Sequence, residues 1–258
     1  MRIWLQSATA LGKDPRVNSY EESIKTHALK VARHDTVVSI HGVDEVLGRP
    51  DLYHLAGHIE SSWLIKKALQ AEHDGYDAYV QVCTLDPATH AIREALHIPT
   101  VFVLESSVLL ACSLAPTFSF LAHNESLLLR ITEKVKEYGL ASRMTPGGCL
   151  NLNHKDFNVM YQNPKPYLDA LIEKGTEVVE KGAGIILVSG GMTNLFLLDH
   201  GIREIKGAPV LDQFGVAIKM GELMVDLTHI GVERSKQGLY LAPSKEELPA
   251  YLRYLGSL

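Results

Sequence analysis

The stretch Gly75-Tyr76-Asp77-Ala78-Tyr79-Val80-Gln81-Val82-Cys83-Thr84-Leu85-Asp86-Pro87 runs an apolar segment into a lone cysteine, a hydroxyl residue and an Asp-Pro turn. The run from Ala78 to Val82 has the length and side-chain types of a buried strand, and Asp86-Pro87 breaks the chain before a helix. Open α/β sheets bind ligands outside the carboxyl ends of their strands, which places a thiol at position 83 at the mouth of a sheet. Free cysteine is also among the most buried residue types, so a small core hydrophobe is the competing reading.

A second stretch has the same grammar. Lys181-Gly182-Ala183-Gly184-Ile185-Ile186-Leu187-Val188-Ser189-Gly190-Gly191-Met192 again places a glycine before an apolar strand and a small polar turn after it. Eight residues beyond Gly75 lies Cys83, and eight beyond Gly182 lies Gly190. Each unit is followed by a helix and then a short strand introduced by proline, at Ile98-Pro99-Thr100 and Ala208-Pro209-Val210. The chain therefore reads as an internal repeat of about one hundred residues, which predicts two similar α/β lobes facing each other.

The ordered set DAYVQVCTLDPA, REALHIPTVFVLESSVLLACSL, GAGIILVSGGM and GAPVLDQFGVAIKMGEL resembles the aspartate/glutamate/hydantoin racemase superfamily over most of the chain. The resemblance implies an α/β fold of two pseudo-symmetric lobes, each a parallel sheet flanked by helices, with the active site in the cleft between them and no cofactor. Members of the superfamily place one cysteine from each lobe on opposite faces of a carbon acid. Cys83 matches the first of those positions. The second falls on Gly190, with Ser189 beside it, and neither carries a thiol.

That departure divides the functional readings. In the first, His123 or Ser189 serves the face opposite Cys83, and the enzyme is a racemase or isomerase of a small carboxylate or hydantoin-like substrate. In the second, carbon dioxide leaves from the face near Gly190 and Cys83 protonates the enolate, which is a cofactor-free decarboxylation. Cys83 as the covalent nucleophile of a hydrolase, and a small-molecule binding protein without chemistry, complete the set. The missing side chain at Gly190 predicts an open pocket there, and a helix N-terminus after Pro87 predicts a depressed thiol pKa at Cys83.

Loops at strand carboxyl ends nominate the substrate-binding residues: Gln6 and Ser7, Thr84, Glu105 and Ser106, His123 and Asn124, and Ser189 through Gly191 and Met192. Backbone N–H groups at such turns suit a carboxylate or an imide. Ser107 and Thr193 read as helix caps, and Glu105 as either a ligand-orienting carboxylate or a cap. Periodicity predicts strands at Ile3–Gln6, Thr36–His41, Val101–Leu104, Thr117–Ala122 and Arg143–Thr145. It predicts helices at Tyr20–Val31, Ser61–His73, Ser107–Leu114, Glu125–Tyr138, Pro166–Lys181 and Gly215–Leu227. The first lobe is expected to comprise residues 1–115 with 215–258, and the second 116–214.

Composition sets the surroundings. The 258 residues are 46% hydrophobic and 21% charged, ordinary for a globular enzyme. A net charge of -5 gives no reason to expect nucleic acid or an anionic membrane as partner. Three cysteines without a CxxC pair point to reduced thiols in the cytoplasm. His54, His58 and His73 form no metal-binding motif, Cys112 lies in an apolar helix, and Cys149 follows a Gly-Gly pair. The expected partners are a small anionic or imide substrate and, at this size, further copies of the chain.

Overall fold

The computed structural model describes residues 1–46, 51–152, 159–244 and 246–254. Its strands form two parallel sheets and a small hairpin. The first sheet has the order β2-β1-β3-β4, from β1 (Arg2–Gln6), β2 (Val37–His41), β3 (Ala78–Gln81) and β4 (Thr100–Phe102). The second has the order β6-β5-β7, from β5 (Phe118–Ala122), β6 (Gly148–Cys149) and β7 (Ile185–Val188). The hairpin pairs β8 (Glu204–Ile205) with β9 (Ala208–Pro209), and Val210 bridges back to Ile186 in parallel. The helices are α1 (Asn18–Val31), α2 (His54–His73), α3 (Thr89–Ala95), α4 (Val103–Leu114), α5 (Glu125–Glu137), α6 (Pro164–Glu180), α7 (Gly191–Asp199), α8 (Gln213–His229) and α9 (Leu248–Tyr254).

Strands without polar alternation require cover on both faces, as parallel strands do. On one face of the first sheet, Ile3, Leu5 and Val80 pack with Ile24 and Ala28 of α1 and with Ala217 and Ile218 of α8. On the other, Trp4, Tyr79 and Phe102 pack with Leu64 and Ala68 of α2 and Ile92 of α3. Around the second sheet, Phe118 and Phe120 meet Leu127, Ile131 and Val135 of α5, while Leu121 and Val188 meet Leu171 and Val178 of α6. Helix α7 serves both lobes. Its Leu195 and Leu198 join the first core and its Phe196 and Leu197 the second, which puts its N-terminus at the junction.

The repeat is visible in the hydrogen bonds. Helices α2 and α6 both end in the Schellman pattern: Gly75 N–H donates to Glu72 O and Tyr76 N–H to Ala71 O, while Gly182 N–H donates to Val179 O and Ala183 N–H to Val178 O. Gly75 and Gly182 both have positive φ, +73° and +101°. Asp77 then bonds Arg2 O as Gly184 bonds Thr117 O, and past the strands Val82 bonds Gln6 O as Ser189 bonds Leu121 O. Val82 is thus the counterpart of Ser189, and the next residues, Cys83 and Gly190, are counterparts of each other.

Three local expectations need correction. Helix α4 begins at Val103 rather than Ser107, because the buried Asp86 carboxylate accepts the Leu104 and Glu105 N–H groups from across the lobe and caps the helix there. Helix α2 begins at His54 rather than Ser61; its buried residues start at Leu64, so its first turns carry no apolar stripe to read. Arg143–Thr145 is no strand. Only Met144 bridges Phe118, and the edge strand is Gly148–Cys149, displaced past Pro146, which has no N–H to give the ladder.

Candidate active site

Cys83 follows β3 and opens the turn closed by Asp86 N–H bonding to Cys83 O at 3.0 Å. Burial pushes its thiol well above the ordinary value, and the Glu60 carboxylate pushes the same way, as does Asp86; the Leu85 N–H and Arg130 oppose them. This overturns the expectation of a depressed thiol. The helix after the turn is only seven residues long, and the water lost from around the sulfur outweighs it. Glu60, on α2, is itself raised to about 7 by burial, with Asp51 adding to the effect and Arg130 reducing it.

The two lobes touch beside the thiol. Gly190 N–H donates to Thr84 Oγ1 at 3.1 Å, so the residue after Cys83 holds the counterpart of Cys83 itself. Gly190 has φ +94° and forms the N-cap of α7. A β-carbon built on it would lie 3.2 Å from His123 Nδ1 and 3.7 Å from Thr193 Oγ1. The expected open pocket at Gly190 is therefore absent. The His123 imidazole, 7% exposed, stands where the missing side chain would point.

His123 in turn is placed by the loop before α2. Its Nε2 lies 3.4 Å from Asp51 Oδ2, and Asn124 donates to the same oxygen at 2.7 Å while its Oδ1 caps α5 at Leu127 N–H. With Nε2 facing a carboxylate, the tautomer that carries its proton there turns a lone pair at Nδ1 toward Gly190.

The other residues nominated from sequence separate into two groups. Ser7 bonds Thr9 N–H and is in hydrogen-bonding contact with the buried Tyr20 hydroxyl, which lies close enough to Cys83 to feel its charge. A β-carbon on Gly191 would come within 2.5 Å of that Tyr20 oxygen. The Ser189 hydroxyl is buried with no hydrogen-bond partner among the described residues, and Met192 packs against both cores. Gln6 is used within the fold: it accepts from Trp4 Nε1 at 2.9 Å and donates to Ser7 O at 2.7 Å. Glu105 and Ser106 lie in the first turn of α4 and line a different cavity, where Arg93 grips the Glu105 carboxylate. Ser107 and Thr193 are buried in helix turns and cap nothing. Among the described residues, no group of three or more His, Cys, Asp and Glu side chains is arranged for a metal.

Sequence reasoning missed Tyr20, Asp51 and Glu60. None follows a strand carboxyl end: Tyr20 and Glu60 sit on helices and Asp51 in a long connection. The single legible signal was the lone carboxylate of Asp51 following Pro50, in a loop.

Residues 18–221 match the family described as Asp/Glu/Hydantoin racemase. The chain belongs to the Asp/Glu/hydantoin racemase family. Over 200 residues it is 32% identical to the hydantoin racemase of Pseudomonas sp. (strain NS671), covering 75% of each chain. It is 26% identical over 220 residues to the hydantoin racemase of Rhizobium meliloti, covering 84% of this chain and 83% of that one. The fold is that of the allantoin racemase from Klebsiella pneumoniae, with a TM-score of 0.79 at 21% identity over the whole of both chains. Glutamate racemase RacE1 from Bacillus anthracis shares the fold at a TM-score of 0.60 and 12% identity, over 98% of this chain and 93% of that one. The protein is accordingly an enzyme of racemase type. Among its described residues no helix is long and apolar enough to cross a membrane.

Within this family member, restoring a cysteine at the second position is expected to fail. Gly190→Cys forces a β-carbon against His123 and an L-residue into φ +94°. The expected cost is about 1–3 kcal/mol of stability, read as a fall in thermal midpoint, with turnover reduced rather than gained. An unchanged midpoint with faster turnover would refute this placement of His123.

Proposed function

We propose that the enzyme racemises a hydantoin-like cyclic imide by proton transfer at its ring carbon, with Cys83 on one face and His123, held by Asp51, on the other. The observation that carries the reading is the Gly190 geometry: the direction in which a second thiol would project ends 3.2 Å from His123 Nδ1. The choice of substrate class is supported by the likeness to hydantoin racemases.

A raised thiol fits this pairing. Cys83 rests as an acid and His123 serves as the base, so one direction of turnover needs no thiolate at the start. His123 Nδ1 takes the proton from the carbon, the electron pair passes into the ring carbonyl as an enolate, and the Cys83 S–H proton is delivered to the opposite face. Imidazolium and thiolate remain, which is the state required for the reverse direction or for reset through solvent. The enolate oxygen needs donors. The Thr84 hydroxyl beside Cys83 is one candidate, and such a preorganised group contributes about 3 kcal/mol.

Removal of one base separates exchange from inversion. His123→Gln should abolish racemisation, yet Cys83 should still exchange the ring proton for solvent deuterium in the one enantiomer whose proton faces it. Cys83→Ser should show the opposite preference. The measurement is deuterium incorporation into each enantiomer of a 5-substituted hydantoin. Retention of racemisation by His123→Gln would eliminate the second base assigned here.

A further inference from the structure

The pairing of Cys83 with His123 leaves one step to other groups. A turnover that begins with the Cys83 thiol and the His123 base ends with thiolate and imidazolium, so an enzyme supplied with a single enantiomer must reprotonate the sulfur before it can react again. Burial is the largest influence on that sulfur, so the proton has to be carried in from the surface.

A cavity of about 1040 Å³ between α2 and α5 supplies the route. Its lining includes Glu60 and Ser61 of α2, Leu85 and Pro87 of the Cys83 turn, and Ser126 and Arg130 of α5. Leu55 and Leu129, also in the lining, are exposed, so the cavity reaches solvent. At its inner end three of the lining residues act on the thiol itself: Glu60 and Arg130 by charge, and Leu85 through its backbone N–H. Of the two charged side chains, Glu60 is the one that can hand over a proton, because an arginine stays charged at any working pH. The Glu60 carboxyl is half-buried and titrates near 7, so both its acid and its carboxylate form are populated at neutral pH, the condition that favours passing protons. On the opposite wall the Ser126 hydroxyl donates to Asp51 O at 3.3 Å, so the same cavity borders the loop that holds His123.

We propose that Glu60 is the relay through which Cys83 exchanges protons with solvent between turnovers. The carboxylic O–H bond of Glu60 breaks as the S–H bond of Cys83 forms, and the carboxylate left behind takes its next proton from water in the cavity. The His123 imidazolium releases its own proton to solvent, so the enzyme returns to its starting charge. For the other enantiomer the transfer runs backwards, from the thiol to the Glu60 carboxylate. Glu60 touches no substrate and acts only through Cys83. The proposal rests on the two-base hydantoin reading above and adds the step that resets it.

Glu60→Gln keeps the shape and removes the relay, and it is tested in the full chain with the enantiomer of 5-(2-methylthioethyl)hydantoin whose proton faces His123. At saturating substrate kcat should fall by about tenfold or more, because every cycle then waits for reset. With enzyme in excess, the first conversion needs no reset and should proceed as in the wild type. Imidazole added at fixed pH and ionic strength should restore the kcat of the variant in proportion to its concentration and leave that of the wild type unchanged. Loss of the charge alone would lower the thiol pKa and make Cys83 a better acid, so it accounts for no such fall. An unchanged kcat overturns the proposal, as does an equal loss in both regimes with no response to imidazole. Either result leaves the hydantoin reading standing wherever the wild type racemises the compound. Failure of the wild type to exchange the ring proton of either enantiomer removes that reading and this proposal with it.

Discussion

Cys83→Ala is expected to lower racemase turnover by about a thousandfold, the usual contribution of a positioned general acid or base, while leaving the fold intact. The side chain removed is small, and its neighbours are held by other bonds: the turn by Asp86 N–H and the lobe contact by Thr84 Oγ1. The environment of the thiol adds a second, signed expectation. The Glu60 carboxylate raises the Cys83 pKa, and Glu60 titrates near 7. Glu60→Gln removes that negative charge above pH 7, lowers the thiol pKa, and should speed alkylation of Cys83 by iodoacetamide at pH 8 by several-fold. Below about pH 6 the wild-type carboxyl is already neutral, so the two proteins should then react alike. Slower alkylation of the Glu60→Gln variant at pH 8 would contradict the charge arrangement around the sulfur.

The parts of this site that sequence disclosed are those governed by local pattern. Gly75 and Gly182 each close a helix in the left-handed region, and eight residues of extended chain then carry each lobe to the same register against its central strand. Counting therefore sufficed to pair Cys83 with Gly190. It could not show what fills the space at Gly190, because His123 reaches it from β5 and Asp51 reaches His123 from before α2, separations of 67 and 72 residues that no periodicity encodes. The thiol pKa was misjudged for a related reason. The turn after Pro87 is local and suggests a helix dipole, whereas the burial and the Glu60 charge that dominate arise from tertiary packing. Likewise Glu105 looked like a cleft residue until the helix start moved four residues back under the influence of Asp86.

Asp86 is the residue whose loss should destabilise the protein most. It is fully buried, and three donors converge on it: Leu104 N–H at 3.0 Å on Oδ1, with Glu105 N–H and the Tyr138 hydroxyl each at 2.8 Å on Oδ2. Two of these open α4 and the third comes from just past the end of α5, so one carboxyl ties the first lobe to the second directly behind the Cys83 turn. Asp86→Ala strands all three donors and places alanine at φ +44°, where Asp and Asn are the better-tolerated residues. The expected loss is about 3–5 kcal/mol, measured by urea unfolding. Asp86→Asn keeps the shape and isolates the charge. Burial raises the wild-type carboxyl to about 7 against the bonds that favour ionisation. A raised folded pKa means that its stabilising contribution is complete below about pH 4 and is lost as pH rises through 7. Wild-type stability should therefore fall relative to Asp86→Asn between pH 4 and 8, and the gap should stay constant above that range. A gap that widens in favour of wild type with rising pH would show that the three donors outweigh burial, and that Asp86 is held as a carboxylate.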